Sequence, residues 1–250
     1  MVDEIIDIKK YKGMLSAVND ELSQLPDGSL IRKGTRYYHF LKGTEIGITK
    51  NKLLIKKLCR KRYLLVFKKD LERNISIISG PSKKIIEKSH EERITNLSKA
   101  YDGLPEAYFY HPTIEPWLKK SYPTMSFKME GRKYKMKNGT LLRSKSEYMI
   151  ANTLEEYGIP YRYEIPMKMG SKTIYPDFTI KHPYTGKTII WEHFGALHQP
   201  KYEASMNEKM KGYLAQGYIP FETIIYTFEF DIESTIRLER LAKTLLKSGS

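Results

Sequence analysis

R-S-K-S-E (143–147), Y-P-D-F (175–178) and I-I-W-E-H-F-G (189–195) decide how the second half of this chain is read. Each supplies one carboxylate: Glu147, Asp177 and Glu192. The first motif opens a helical pattern over 144–157, with Ser144 at the N-cap and Glu147 three residues on, the spacing of a capping box. Outward from the other two, alternating and β-prone runs predict strands over 159–167, 172–181, 187–194 and 222–229. Helices are expected over 201–216, ended by Gly217, and over 231–247. Pro176 should bend the second strand. Asp177 then falls at the start of one strand and Glu192 near the end of the next. The order α-β-β-β-α-β-α implies a mixed four-stranded sheet flanked by helices, of the α+β or α/β class. Three acids at neighbouring edges of one sheet make a pocket of negative charge. Such a pocket is costly unless a hard cation fills it, and Mg²⁺ or Mn²⁺ prefers carboxylate oxygens. Glu192 sits in an apolar run, where an unpaired carboxylate is costly, so a cationic partner is expected.

Charge divides the 250 residues unevenly. The net charge is +14. Residues 32–73 hold fourteen Lys or Arg against three acids, and 119–137 hold seven against one. From 141 onward, fourteen basic residues meet thirteen acidic ones. The half that carries the three acids is therefore nearly neutral, and the segments before it are strongly basic. A polyanion partner follows, because each phosphate neutralised releases counterions. Cys59 is the single cysteine, so no internal disulfide forms, which fits a reducing compartment. No apolar run approaches the ~20 residues needed to span a bilayer. The start, M-V-D-E-I-I-D, has no secretory pattern. The expected location is cytoplasmic, with no membrane partner.

In the basic half, apolar residues recur every three or four positions over 4–25, which predicts a helix ended by Pro26-Asp27-Gly28. Short antiparallel strands are expected over 29–47, with turns at Lys33-Gly34 and Lys42-Gly43. Helices are expected over 51–78 and 82–101, broken by Ser79-Gly80-Pro81. Four prolines over 103–124 suggest an extended strap, and alternation over 125–137 suggests a β-ribbon ended by Asn138-Gly139. This gives a basic helical and β-ribbon domain at 1–103, a linker and ribbon at 104–140, and the acid-bearing domain at 141–250. The candidate nucleic-acid contacts are Arg32, Lys33, Arg36, Tyr37, Lys56, Lys57, Arg60, Lys61, Arg62, Arg132, Lys133 and Lys145. Tyrosines interleaved with these charges suit stacking on bases.

A helix glutamate, P-D at a strand start, then E at the end of the next strand, followed by a helix and another strand, resembles the PD-(D/E)XK nuclease superfamily. The resemblance covers about 141–230. The whole chain is also similar to uncharacterised prokaryotic proteins, often of phage or mobile-element type, that carry the three motifs together. The nuclease resemblance implies a restriction-endonuclease-like core and hydrolysis of phosphodiester bonds, in DNA more than RNA, and by an endonuclease more than an exonuclease. It implies Mg²⁺ or Mn²⁺ held by Asp177 and Glu192, with Glu147 completing the site. The motif lysine should stand two residues after Glu192, where this chain has Phe194. Lys209 on the next helix, with Lys211 behind it, is one replacement; His193 or His198 is the other. A fold that kept its binding role and lost cleavage, as a DNA-binding or regulatory protein, is the alternative.

Overall fold

The computed structural model describes residues 2–80, 85–122, 131–195 and 200–247. The chain divides into two compact units, Met1–Tyr110 and His111–Gly249, so the division falls inside the stretch expected to link two domains.

In the first unit, α1 (Val2–Ser23) packs along α2 (Lys52–Ser79). Tyr11 and Val18 of α1 are buried, as are Ile55, Leu58, Cys59, Tyr63, Leu64, Phe67 and Leu71 of α2, where Tyr63 and Phe67 also meet the His90 ring. Between them in the chain lies an antiparallel sheet of β1 (Ser29–Lys33), β2 (Arg36–Leu41) and β3 (Thr44–Gly47). Lys42 and Gly43 both take positive φ, +47° and +82°, as a two-residue turn matched to strand twist requires. Arg32 lies over the Tyr37 ring at 5.8 Å and Lys33 over Tyr38 at 5.6 Å. His39 is buried, with Nε2 2.6 Å from the Asp27 carbonyl.

The helix expected over 82–101 is much shorter. Among the described residues it runs only over α3 (His90–Thr95), followed by a single 3₁₀ turn at Lys99–Tyr101. A reciprocal capping box fixes its start: Glu92 N–H donates to Ser89 Oγ, and Ser89 N–H donates to Glu92 Oε2. The proline-rich stretch is not an extended strap either. It forms a 3₁₀ turn at Glu106–Tyr108 and α4 (Ile114–Lys119), which accommodates Pro116 in its first turn.

The second unit is a mixed α+β fold. Its hairpin of β4 (Tyr134–Lys135) and β5 (Leu141–Leu142) turns at Asn138-Gly139, with Gly139 at φ +91°. The earlier part of the expected ribbon, 125–130, lies outside the described residues. α5 (Lys145–Glu156) leads into a four-stranded sheet. Its strands are β6 (Tyr161–Tyr163), β9 (Phe178–Lys181), β10 (Thr188–Phe194) and β11 (Ile224–Phe228), in the order β11-β10-β9-β6. β9 runs antiparallel to both β6 and β10, and β11 runs parallel to β10. Two of the expected strands break. β6 stops at Glu164, which has φ +48°, and Pro176 gives no ladder donor just before β9. The residues between pair as a ribbon apart from the main sheet, β7 (Met167–Met169) with β8 (Lys172–Ile174), turning on Gly170. α6 (Pro200–Ala215) crosses from β10 to β11. The closing helix splits into α7 (Glu229–Ile232) and α8 (Thr235–Lys247).

Successive strand residues face opposite sides of a sheet, and β10 shows what that does. Ile189 and Trp191 enter a core with Ile150, Leu154, Leu238 and Leu245, which α5 and α8 supply. Ile190 enters a second cluster with Tyr213 of α6 and Ile224. Glu192 and Phe194, in phase with Ile190, fall on the α6 side. No helix among the described residues is long and apolar enough to cross a membrane.

Candidate active site

The acids meet because of strand register. Phe178 of β9 lies opposite Trp191 of β10 in an antiparallel pair. Continuing that register by one residue sets Asp177 opposite Glu192, and directly opposed residues share a face. Asp177 Oδ2 accepts the His193 N–H over 2.7 Å, which ties the acid to the neighbouring strand. Glu192 is 0% exposed. Its Oε2 accepts from Lys209 Nζ at 2.6 Å and its Oε1 from the Tyr213 hydroxyl. Lys209 and Tyr213 are four residues apart on α6, so both reach the sheet from one helix face.

Glu147 comes from the other side, at the start of α5. The capping box is real: Glu147 N–H donates to Ser144 Oγ at 3.0 Å, and Ser144 N–H donates to Glu147 Oε2 at 3.1 Å. That same oxygen accepts the Arg143 N–H at 2.8 Å and the Tyr163 hydroxyl at 2.9 Å. Glu147 thus holds its helix start and lines the site at once.

One cavity of about 540 Å³ gathers Glu147, Asp177, Glu192 and Lys209, together with Arg143, Glu164, His193, Phe194, Tyr202, Ser205 and Met206. Its electrostatics follow from crowding like charges away from water. Burial and the Glu192 charge push the Asp177 carboxyl up to about 7. Burial and the Asp177 charge raise Glu147 as well, against the hydrogen bonds that favour its charged form. Burial works to lower Lys209, but the charges of Glu192 and Asp177 outweigh it and raise it. Burial, with Glu192 beside it, drives the Tyr213 hydroxyl far above its ordinary range, so it stays a proton donor.

The other expected residues sort clearly. Phe194, two residues after Glu192 where the resemblance expects a lysine, closes the cavity wall with Tyr202, their centroids 6.5 Å apart. Phe194 also stacks on Tyr226 at 5.8 Å. The His193 ring points to the opposite side of β10, with Nδ1 3.2 Å from Thr227 Oγ1 and Nε2 3.3 Å from Glu229 Oε1. Lys211 is exposed and does not line the cavity. His198 lies outside the described residues.

Among the basic candidates, Arg32, Lys33, Arg36, Lys57, Arg62, Lys133 and Lys145 are exposed, and Tyr37, Lys56 and Lys61 are half-buried. Two are corrected. Arg60 is 4% exposed and grips Glu21 through Nε at 2.7 Å and a terminal nitrogen at 2.8 Å. Arg132 is spent on Glu164 at 2.5 Å. Both are internal ion pairs, and neither offers its charge to a partner. Sequence reasoning missed Arg143, Glu164 and Tyr213. Arg143 stands one residue before the N-cap of α5, and that position was its available signal. A lone tyrosine in a helix and a glutamate after a strand carry none.

Do the residues suit a divalent ion? Asp177 and Glu192 are opposed carboxylates in one cavity, and one ammonium answers the two, with Lys209 Nζ 2.6 Å from Glu192 Oε2. An oxygen-only donor set with such a deficit fits Mg²⁺ or Mn²⁺. Among the described residues no three His, Cys, Asp or Glu side chains are drawn together tightly enough to form a closed metal cluster. The fit is therefore to an open site of two carboxylates with a third nearby.

Comparison with known proteins adds little to this geometry. No protein-family model matches the chain, and no solved structure matches it significantly. An uncharacterised protein of Methanocaldococcus jannaschii is 35% identical over 81 residues, which takes in 32% of this chain. The matched region spans 7% of that protein's length.

Proposed function

We propose that this protein is a metal-dependent nuclease that hydrolyses phosphodiester bonds, in DNA before RNA and as an endonuclease before an exonuclease. The observation that carries the reading is the opposition of Asp177 and Glu192 across β9 and β10, with Lys209 Nζ 2.6 Å from Glu192 in the same cavity. On this reading the second unit is a restriction-endonuclease-like core. Asp177 and Glu192 hold Mg²⁺ or Mn²⁺, and Glu147 supports them from α5. The ion, when bound, lowers the pKa of a water and screens charge on the scissile phosphate. The chain's own residues do the rest. Lys209 holds one Glu192 oxygen and places a positive charge beside the reacting phosphate. Tyr213 fixes the second Glu192 oxygen. Phe194 and Tyr202 give the cavity a dry wall, which strengthens every charge inside it. Exposed basic residues of the first unit, Arg32, Lys33, Arg36, Lys57 and Arg62, supply the sequence-independent grip on the phosphate backbone. Cys59 is buried and free, which suits a reducing compartment, so the cytoplasm is the proposed setting.

Plasmid, linear duplex and single-stranded substrates, incubated with Mg²⁺ or Mn²⁺ and with wild type beside Asp177→Ala, test it. Metal-dependent product from wild type alone supports the nuclease. Product from neither, with salt-sensitive DNA binding by both, leaves the second reading, a nuclease-fold protein that binds or regulates without cutting. Phe194 at the motif-lysine position is the observation in favour of that second reading.

A further inference from the structure

Glu164 ends β6 with φ +48°. That left-handed conformation costs a residue with a side chain about 1–3 kcal/mol, and persists only where the surroundings enforce it. Here the surroundings are ionic. Glu164 is 6% exposed. Its N–H donates to the Asp177 carbonyl at 3.1 Å, so its backbone is fastened to the acid strand. Its Oε1 accepts from Arg143 Nε at 2.7 Å and its Oε2 from a terminal Arg143 nitrogen at 3.0 Å, a two-point grip. Arg132 reaches the same Oε2 at 2.5 Å and lies over the Tyr163 ring at 5.3 Å. Burial pushes the Glu164 carboxyl up, and hydrogen bonds from Arg143 and Arg132 outweigh it and hold it ionised.

A buried carboxylate needs one cation, and this one has two. The second guanidinium leaves an excess positive charge. Arg143 carries it toward the cavity: its side chain is 21% exposed, against 9% for Arg132, and it lines the cavity with the three acids. Its backbone is fixed as well, through the N–H donated to Glu147. Lys209 lines the same cavity and is held by Glu192 alone of these acids, whereas Glu164 is shared by Arg143 and Arg132. A phosphodiester entering a cavity of three carboxylates meets repulsion, and a guanidinium held in place by a carboxylate is a preorganised positive charge for it.

We infer that Arg143 binds the phosphate of the substrate at this site, and that Glu164, braced by Arg132, is the positioning residue that aims it. This rests on the phosphodiester reading above. It assigns a substrate contact to the arginine that opens the first motif, beside the three acids and apart from the basic first unit.

The test combines single-turnover cleavage in Mn²⁺ with DNA binding in Ca²⁺ across a salt series, for wild type, Asp177→Ala, Arg143→Gln, Arg143→Lys and Glu164→Gln, each checked for folding by circular dichroism. Arg143→Gln should slow cleavage on the order of 10²-fold. It should also lower the slope of log affinity against log salt by about one. Arg143→Lys, the safer variant for folding, should keep that slope and still cleave more slowly, because charge remains and the two-point grip of Glu164 that aims it is gone. Glu164→Gln should lower kcat with KM little changed. Wild-type rates in both Arg143 variants, with cleavage still abolished by Asp177→Ala, would overturn the Arg143 assignment and leave the nuclease standing. A wild type that never cleaves would overturn both.

Discussion

Lys209 reaches Glu192 from a helix, Nζ to Oε2 at 2.6 Å, while the strand position two residues beyond Glu192 is filled by Phe194. The cation that the strand lacks is delivered from α6 instead, onto the same face of β10. Glu192 is fully buried and the Lys209 side chain only a quarter exposed, so the pair is shielded from water. Removing one partner of a buried pair costs about 3–5 kcal/mol when both ends are dry, and less where one reaches solvent. Lys209→Met should therefore lower stability by roughly 2–3 kcal/mol, read by urea denaturation, and reduce cleavage on the order of 10²-fold. Full cleavage by Lys209→Met would remove Lys209 from the chemistry.

Tyr213 makes a milder prediction. Its hydroxyl donates to the other Glu192 oxygen inside the α6-side cluster. Tyr213→Phe keeps the ring and leaves that oxygen unsatisfied, a cost of about 1–3 kcal/mol. Cleavage should fall with it, because Glu192 then keeps one anchor of two. Paired with Lys209→Met in a double-mutant cycle, the two effects should be non-additive, since both act on one carboxylate. Additive effects would mean that Glu192 is held by something else.

How much of this was written in the sequence depends on the length scale of the cause. The opposition of Asp177 and Glu192 was legible, since it needs only alternation in two strands and a turn between them. So was the turn of the His193 ring to the other face of β10, where it is buried against Thr227, because neighbours on a strand face opposite sides. Lys209 was in reach for the same reason: one helix face follows a strand that ends beside it. Tyr213 was not, since a helical tyrosine reads as packing until its partner is known. Glu164 was not, because its ion-pair partners, Arg132 and Arg143, lie twenty and more residues away in sequence. The short α3 is a different failure. S-x-x-E at 89–92 announced its start, and the apolar spacing over 82–101 concealed it.

Asp177 sets a pH dependence in the metal-free protein. An ordinary aspartate titrates near 3.9. In the fold this carboxyl is pushed up to about 7, first by burial and then by Glu192. A raised carboxyl favours the protonated folded state. Its contribution to stability is fully present below about pH 4, where both states hold the proton. It is lost as pH rises through the window between the two values. With EDTA present, Asp177→Asn should therefore be more stable than wild type at pH 8, and the gap should close as pH falls toward 4. Midpoints from thermal melts across that range would show it, and a gap constant with pH would refute the raised carboxyl.

Added metal should act on the same group in the opposite direction. An ion that binds only the folded state stabilises it by an amount set by its concentration relative to Kd. At pH 8, Mn²⁺ or Mg²⁺ should raise the melting temperature of wild type, and EDTA should reverse the rise. The shift should be absent in Asp177→Ala and Glu192→Ala, and reduced in Glu147→Ala. Equal shifts in all four proteins would place the ion elsewhere.

The first unit carries the last prediction. Arg36, Lys57 and Arg62 are exposed, whereas Arg60, in the midst of the same basic run, is closed off by Glu21. Exposed charges that meet phosphates each release counterions, and the slope of log affinity against log salt counts them. Replacing Arg36, Lys57 and Arg62 together by Gln should weaken DNA binding at low salt. It should also flatten that slope by up to about three, roughly one for each phosphate left without its cation. Arg60→Gln should act differently: it should lower the melting temperature by stranding Glu21, and leave the slope of the folded protein unchanged. Fluorescence anisotropy over a salt series separates the two. A slope that follows Arg60 and ignores the exposed three would mean that the basic face of this unit does not meet the nucleic acid.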